Sequence, residues 1–559
     1  MLYSNLVVIY QSLEKTSKRL EKAAILAEFL KNIPSTELAT VVNLLQGRVF
    51  PQWDSRNMGF SSRLMLKALH KATGASLKSI ESSWNKLGDL GKVASELVKN
   101  KTQVTFASQE LNIKKVIINL QKLESVEGSG SVERKVSLVA ELITSASPEE
   151  SRFLVRTVLE ELRVGIASGI MRDAIALAFD QEIKVVEHAF DVVGDFGEVA
   201  VFAKKNALSS LELTSGRPLN SMLAILVQDI PEAFKALGSP AQFEFKLDGF
   251  RLQVHKSNGK IKLFTRRLEE VTKQFPEVVA VIQSSVSGDS FILDAEAVGI
   301  DPKSGKHLPF QHISQRIKRK HDIALLAKRL PVELNVFDIV LYNGKNVMDC
   351  SQDERRKLLE KIVKPQKNKL KFTEMLTTGD EKKAVAFYKK SLDDGNEGLM
   401  IKSLSSVYRP GRYVSGWCKL KPTLEPLDVV ITSALWGEGK RSEWLASFTV
   451  AVKSGEKFVE IGKVGTGVKE KVEEGVSFEE LTKLLKPLII SKKGREVKVK
   501  PQIVVEVAYE ELQKSPTYSS GFAMRFPRIL RLRSNEKVVN DVNSLRDVER
   551  IYVVQKGKV

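Results

Sequence analysis

Cysteine is nearly missing from this chain. With Cys350 and Cys418 alone among 559 residues, a disulfide framework or a four-cysteine zinc site within the chain is excluded, and a reducing, intracellular setting follows as the default. Histidine is also sparse: the six present are scattered without metal-ligand spacing. No stretch stays apolar long enough to span a bilayer. Residues 1–10 are mildly apolar but lack a basic start and a small-residue cleavage site, so they read as the opening of a helix. Charge balance is missing too. The 87 Lys and Arg exceed the 68 Asp and Glu, giving a formal net charge of +19. Such an excess favours a polyanionic partner, since each phosphate contact releases counterions, although a generally basic soluble surface has the same composition. What remains is ordinary for a globular protein, 43% hydrophobic and 28% charged, and long enough for about three or four domains.

The patterning changes twice. Residues 1 to about 215 read as helical, with apolar side chains at helical spacing in 23–30 and 64–69. In 168–179, Ile170, Met171, Ala174, Ile175, Ala178 and Phe179 fall on one stripe. A break at 214–218 marks a domain boundary. From about residue 241 the period becomes two, with turns at 257–259, 301–305 and 343–344 and helical stretches at 353–362 and 381–392. Residues 216–423 therefore form a mixed α+β domain. Residues 424–559 carry short β runs, one helical insert at 477–485 and a last helix at 542–553, which fits a small β-barrel.

The chemistry gathers around FEFKLDGFRLQVH at residues 243–255. Glu244, Lys246 and Asp248 alternate with Phe243, Phe245 and Leu247, which puts the three charges on one strand face. The phase slips at Asp248–Gly249, so Gly249 marks a turn or bulge. By itself this is as compatible with an exposed strand carrying routine ion pairs. Further clusters follow in order: Thr265-Arg266-Arg267; FILDAEAVGI at 291–300, with Asp294 and Glu296 on one face; ELNVFD at 333–338; EGLMIK at 397–402; and WCKLK at 417–421, with Lys419 and Lys421 opposite Cys418 and Leu420.

Taken together, the series resembles the nucleotidyltransferase motifs of ATP-dependent DNA ligases of the archaeal and eukaryotic replicative type. KLDG with Arg251 resembles the first motif and TRR the arginine motif after it, DAEAVG the third and VFD its aromatic companion, EGLMIK the fourth, KLK the fifth, and RFPRILRLR at 525–533 is similar to the sixth. GDLG at 88–91 and LRVGIASGIMRDAIALAF at 162–179 resemble the helical DNA-binding domain of that family. WGEGKR, KVGTG and QKSPTYSSGFAMRFPR resemble its OB-fold domain. The resemblance implies an all-α DNA-binding domain at 1–215, an adenylation domain at 216–423 and an OB-fold β-barrel with a C-terminal helix at 424–559.

It also implies a function: sealing single-strand nicks in duplex DNA, in replication, repair and recombination, by a cytoplasmic, nucleoid-associated monomer. Lys246 would be the nucleophile that bonds to AMP. A free lysine, with pKa about 10.4, is a poor nucleophile at neutral pH. Lys419, Lys421, Arg251 and bound metal would favour the neutral amine, while Glu244 and Asp248 oppose it. By resemblance, Glu244 reads the adenine amino group and Phe337 stacks on the ring. Arg251 and Glu296 fix ribose and phosphate, Arg266 contacts the nucleotide or nick phosphate, and Lys419 and Lys421 hold the α-phosphate. Glu397 is the first candidate ligand for magnesium, which manganese could replace, with Asp248 and Glu296 behind it. Arg525, Arg528 and Arg533 orient the leaving pyrophosphate. Arg163, Gly165, Gly169 and Arg172 meet DNA phosphates.

The chain departs from the family in three places. Leu247 follows the nucleophile where tyrosine is common. Tyr413 occupies the place of a nucleotide-contacting arginine, with Arg412 beside it as the substitute. The usual Arg-x-Asp-Lys reads Arg533-Ser534-Asn535-Glu536, with Lys537 one position late. QVTF at 103–106 resembles a sliding-clamp docking motif short of one aromatic. Two cysteines cannot supply the zinc site of the NAD-dependent ligases. The long helical region before Lys246 sets the chain apart from RNA ligases and capping enzymes. A catalytically silent DNA-binding protein would show salt-sensitive binding without covalent AMP.

Overall fold

The computed structural model describes residues 1–100, 110–317, 319, 321–411, 416–422, 424–438, 441–470, 475–534 and 536–555. They divide into two compact units, one made of Met1–Leu64 with Thr105–Lys421, the other of Met65–Val104 with Pro422–Val559.

In the first unit the opening residues form helices, as the periodicity predicts. Helix Pro148–Val158 begins where Ser147 and Glu150 cap each other's backbone amides and Pro148 supplies a pre-set φ. Helix Ser168–Ala178 buries Ile170, Met171, Ala174, Ile175 and Ala178, the expected stripe, and Phe179 becomes its C-cap. It packs against helix Arg19–Lys31, where Lys22 reaches across to the carbonyls of Val164 and Gly165.

The mixed region holds two sheets among the described residues. Strands β1 (Ile225–Val227), β2 (Ala241–Lys246), β3 (Phe250–Ser257), β4 (Lys260–Thr265), β5 (Phe291–Ile300) and β6 (His307–Leu308) come first. They are followed by β7 (Val332–Tyr342), β8 (Lys345–Asn346), β9 (Leu370–Phe372), β10 (Met375–Thr378), β11 (Gly398–Ser403) and β12 (Trp417–Leu420). One sheet runs β1-β12-β11-β2-β10, the other β4-β3-β5-β7-β8 with β6 on β5 and β9 on β7. The hairpins β3–β4 and β7–β8 turn on Asn258-Gly259 and Asn343-Gly344, all four at positive φ.

The phase slip at Gly249 has a larger cause than a bulge. β2 and β3 belong to different sheets, and Leu247-Asp248-Gly249 carries the chain across. The crossing is tight: a Cβ on Gly249 would lie 2.4 Å from the Ala297 carbonyl oxygen. Asp248 therefore stands off the strand, and its carboxylate accepts the Phe310 amide at the start of helix Phe310–Ile317. This corrects the expectation that it shares a strand face with Glu244 and Lys246. The five-stranded sheet buries Phe243, Phe245, Leu399, Ile401, Cys418 and Leu420 against helices Ile230–Leu237 and Glu381–Asp393. The other packs Leu252, Val254, Leu293, Ala295, Leu334 and Val336 with helix Pro276–Ser285.

The break at 214–218 is docked onto this core. Gly216 donates its amide to His255 Nδ1 at 3.0 Å, and Leu219 and the Gln253 amide exchange two hydrogen bonds at 2.9 and 3.0 Å. Burial, with Lys262 adding to it, pushes His255 down to about 3, so the ring is neutral and its Nδ1 can accept.

In the second unit β13 (Leu427–Trp436), β14 (Leu445–Ser454), β15 (Lys457–Val464), β16 (Ile489–Lys493), β17 (Glu496–Val499), β18 (Val504–Ala508) and β21 (Arg528–Leu532) form one sheet. β19 (Glu511–Lys514) and β20 (Phe522–Arg525) pair separately. Helix Phe478–Leu485, capped by Ser477, and helix Leu545–Gln555 contribute Phe478, Leu481, Leu485 and Val548 to its core. Among the described residues no helix is long and apolar enough to cross a membrane.

Candidate active site

Three chain ends of the five-stranded sheet converge on one carboxylate. Lys246 closes β2, Glu397 precedes β11 and Lys421 follows β12. β11 lies between the other two strands, with Gly398 opposite Lys246. Gly398 sits at φ +142° with the Leu420 carbonyl oxygen 2.1 Å from any Cβ, so only glycine brings the strands this close. Glu397 Oε2 then lies 2.6 Å from Lys246 Nζ and 2.7 Å from Lys421 Nζ. Burial alone would raise this carboxyl, but the two ammonium groups outweigh it and hold Glu397 down at about 2.

Glu296, opposite Arg251 in the β3–β5 register, faces the same place. Its burial dominates. Against the pull of Lys246 and Arg251, and with smaller contributions from Glu397 and Asp248, burial pushes it up to about 7. The two carboxyls thus differ sharply in acidity because two ammonium groups overcome burial at Glu397, while at Glu296 burial prevails. No group of three or more His, Cys, Asp or Glu side chains forms a ready-made metal cluster among the described residues. Magnesium commonly takes one or two carboxylates, its remaining positions being water and substrate phosphate, and Glu397 with Glu296 fits that donor set.

Arg251 is committed to the interior. Its guanidinium binds Asp294 at 2.5 Å, the Tyr408 hydroxyl at 3.0 Å and the Met222 carbonyl at 3.1 Å, and it lies 5.3 Å from the Phe337 ring centroid. Phe337 is half-buried, edge-on to Trp417 with centroids 6.2 Å apart. Glu244 is 2% exposed and salt-bridged to Lys402 at 2.7 Å, while Gln242 donates to its other oxygen at 2.6 Å. Behind them Asp338 and Arg355, both fully buried, pair at 2.7 Å. Lys402, Trp417, Tyr408, Asp338 and Arg355 are neighbours to which motif reading gave no role, and Asp294, noted there for its strand face, is the partner of Arg251. The ELNVFD and EGLMIK alternation contained Asp338 and Lys402, but only three-dimensional burial shows that they face inward.

Lys419 lies opposite Met400 in the same sheet. Arg266 is exposed at the turn after β4. Arg412, with Tyr413, and the QVTF stretch lie outside the described residues, as does Asn535. In the second unit Arg525 pairs with Glu511 at 3.2 Å, Arg528 is exposed on β21, and Arg533 lies 3.5 Å from Asp428. The late lysine of that motif, Lys537, reaches the same Asp428 at 2.5 Å.

Arg163 and Gly165 line a cleft of about 420 Å³ with Gln46 and Gly47, but Arg163 pairs with Glu161, and Arg172 with Asp173 and Glu187. The groups closing on Gly165 and Gly169 are Lys22 and Arg19 of the same chain, 2.7 and 3.3 Å from an added Cβ.

A lysine at the seam of two sheets, with lysines and carboxylates around it and an aromatic ring alongside, defines a nucleotidyltransferase-type core, here with a helical region before it and a sheet domain after. Comparison with known proteins narrows the class. Family models described as DNA ligase N terminus, ATP dependent DNA ligase domain and ATP dependent DNA ligase C terminal region match residues 2–176, 221–421 and 441–536. The chain is 45% identical to the DNA ligase of Nanoarchaeum equitans over all of both chains. It is 42% identical to that of Thermococcus onnurineus over 100% of this chain and 98% of the other. A solved structure named Pmar-Lig_PreS3 shares the fold, with a TM-score of 0.60 and 18% identity over 94% of this chain and 99% of its own. The chain belongs to the ATP-dependent DNA ligases, and it is a ligase enzyme with ATP as substrate.

Proposed function

We propose that the enzyme seals nicks through an AMP carried on Lys246. The Lys246 amine, having given up a proton, attacks the α-phosphate of ATP, forming an N–P bond as the P–O bond to pyrophosphate breaks. The AMP then passes to the 5′-phosphate at a nick, and the 3′-hydroxyl displaces it to close the backbone. The observation that carries this reading is the sharing of Glu397 between Lys246 and Lys421 at 2.6 and 2.7 Å. A nucleophile, a phosphate-binding cation and an anionic residue meet at one point. Incoming phosphates compete with Glu397 for Lys421 and draw on Lys419 beside it, which stabilises charge at the α-phosphate.

Glu397 and Glu296, with Asp248 behind them, would hold magnesium or manganese, which neutralises phosphate oxygens. Phe337 supplies the ring on which adenine stacks, Glu244 the acceptor for its amino group, and Arg266 a contact to nucleotide or nick. Arg251 acts chiefly by fixing Asp294 and the Phe337 ring. Arg525, Arg528 and Arg533 orient the leaving pyrophosphate, with Arg412 a further nucleotide contact. In this reading residues 1–215 grip the duplex through the cleft at Arg163 and Gly165 and the nearby Gly169 and Arg172, residues 216–423 perform adenylation, and residues 424–559 form the OB-fold. The enzyme works as a monomer and docks on the sliding clamp through QVTF.

ATP labelled at the α-phosphate, supplied with magnesium, is expected to tag the chain, and Lys246→Ala to abolish the tag and the sealing of nicked duplex. A tagged Lys246→Ala chain refutes the assignment. Replacing ATP with ADP, GTP or NAD in the same assay sets nucleotide choice.

A further inference from the structure

Lys402 has no part in the reaction above, yet it is 1% exposed and ties the two sheets together. Its ammonium lies 2.7 Å from Glu244 Oε2 on β2 and donates to the Phe337 carbonyl on β7 at 3.3 Å. It sits 5.0 and 4.5 Å from the ring centroids of Phe337 and Trp417. Burying an ammonium group is costly, and packing alone would be met by a methionine. We propose that Lys402 is a positioning residue for base selection: it fixes Glu244 as an acceptor-only carboxylate at a set place beside the Phe337 ring, so that the site takes purine nucleotides bearing a 6-amino group and rejects those bearing a 6-oxo group. This rests on the reading of Glu244 and Phe337 as the pair that meets the base.

The chemistry is that of donors and acceptors. An ionised carboxylate has no proton to give, and its two oxygens offer about four lone-pair positions. Gln242 takes one at 2.6 Å and Lys402 another, which orients both oxygens and leaves room for an amino group. A 6-oxo group would set lone pairs against lone pairs. The other groups beside Glu244 are Arg356, 4.0 Å away on helix Gln352–Ile362, and its register partners Met375 of β10 and Met400 of β11. Asp338, bound to Arg355, acts on Lys402 from behind. Without Lys402 the Glu244 carboxylate keeps Gln242 at 2.6 Å and Arg356 at 4.0 Å but loses the ammonium that fixes its second oxygen, which is then able to rotate out of place for an amino group.

The test uses the full chain and measures kcat/KM for covalent tagging with α-labelled ATP and α-labelled inosine triphosphate. Lys402→Met is expected to lower the ATP-over-ITP ratio by about tenfold or more, as loss of a discriminating hydrogen bond does. Lys402→Arg is expected to keep most of the ratio. Glu244→Gln, whose amide can donate, should lower it with the tag still on Lys246. Adding Lys402→Met to Glu244→Gln should change the ratio no further, because Lys402 acts through Glu244. This double variant buries no charge and guards against a single variant that does not fold. A Lys402→Met enzyme that loses both substrates equally overturns the proposal, as does a double variant with a lower ratio than Glu244→Gln. If neither single variant moves the ratio, Glu244 does not face the base and the proposal falls, while a tag mapped to Lys246 leaves the reaction standing. If no tag forms at all, the reaction itself is refuted.

Discussion

Glu397→Gln is the sharpest perturbation of the site, because one neutralised oxygen removes the shared partner of two lysines. The Glu397 carboxyl is held at about 2, against an ordinary 4.5. That difference corresponds to about 3 kcal/mol of stabilisation of the ionised form, an upper bound on what the variant loses. Lys246 and Lys421 keep 23% and 20% of their side-chain surface in solvent. They recover some hydration when the anion is gone, so the expected loss near pH 7 is about 1–3 kcal/mol. The sign follows from a folded-state pKa below the unfolded one. The stabilisation is complete above about pH 4.5 and is lost as the pH falls toward 2. The gap between wild type and variant in urea midpoint should therefore be widest at neutral pH and narrow on acidification below about 4.5. Tagging by α-labelled ATP should fall at least about tenfold in the same variant, since a ligand and orienting group is lost. A variant with the wild-type midpoint at neutral pH, or a gap that stays constant on acidification, refutes the argument.

Two further outcomes test the frame behind the site. Arg355→Met leaves Asp338 buried without its partner and should cost about 3–5 kcal/mol in urea unfolding, most of it recovered when Asp338→Leu is added. His255 is neutral in the fold, at about 3 against 6.5 in the unfolded chain, so stability declines as the pH falls from 6.5 to 3, where only the unfolded chain takes up the proton. His255→Asn, which keeps an acceptor for the Gly216 amide, should flatten the dependence of unfolding free energy on pH across that window by up to one proton.

The motif order was legible because strand alternation and short charged signatures are local. Lys246, Glu397, Lys419 and Lys421 were singled out that way, and the structure brings Lys246, Glu397 and Lys421 together. The seam was not legible. β2 and β3 have the same period, so alternation cannot reveal that they lie in different sheets, and the glycine at 249 was its one local sign. Interior pairs such as Lys402 with Glu244, or Arg355 with Asp338, look in sequence like solvated charges, since only tertiary packing decides which way a strand's polar face points. The arginines of the helical region have partners that lie close in sequence. Glu161 lies two residues before Arg163, and Asp173 is next to Arg172, so these ion-pair partners are visible locally in the sequence.

Because the reactive amine closes one strand and the very next residues begin the passage to the other sheet, the nucleotide would be bonded at the spine of an open book rather than to either page. Side chains on both pages can then differ while the point of attachment stays put. Glycine at 249 is the stitch that lets the pages close this tightly, with no space between it and the Ala297 carbonyl for even a methyl group.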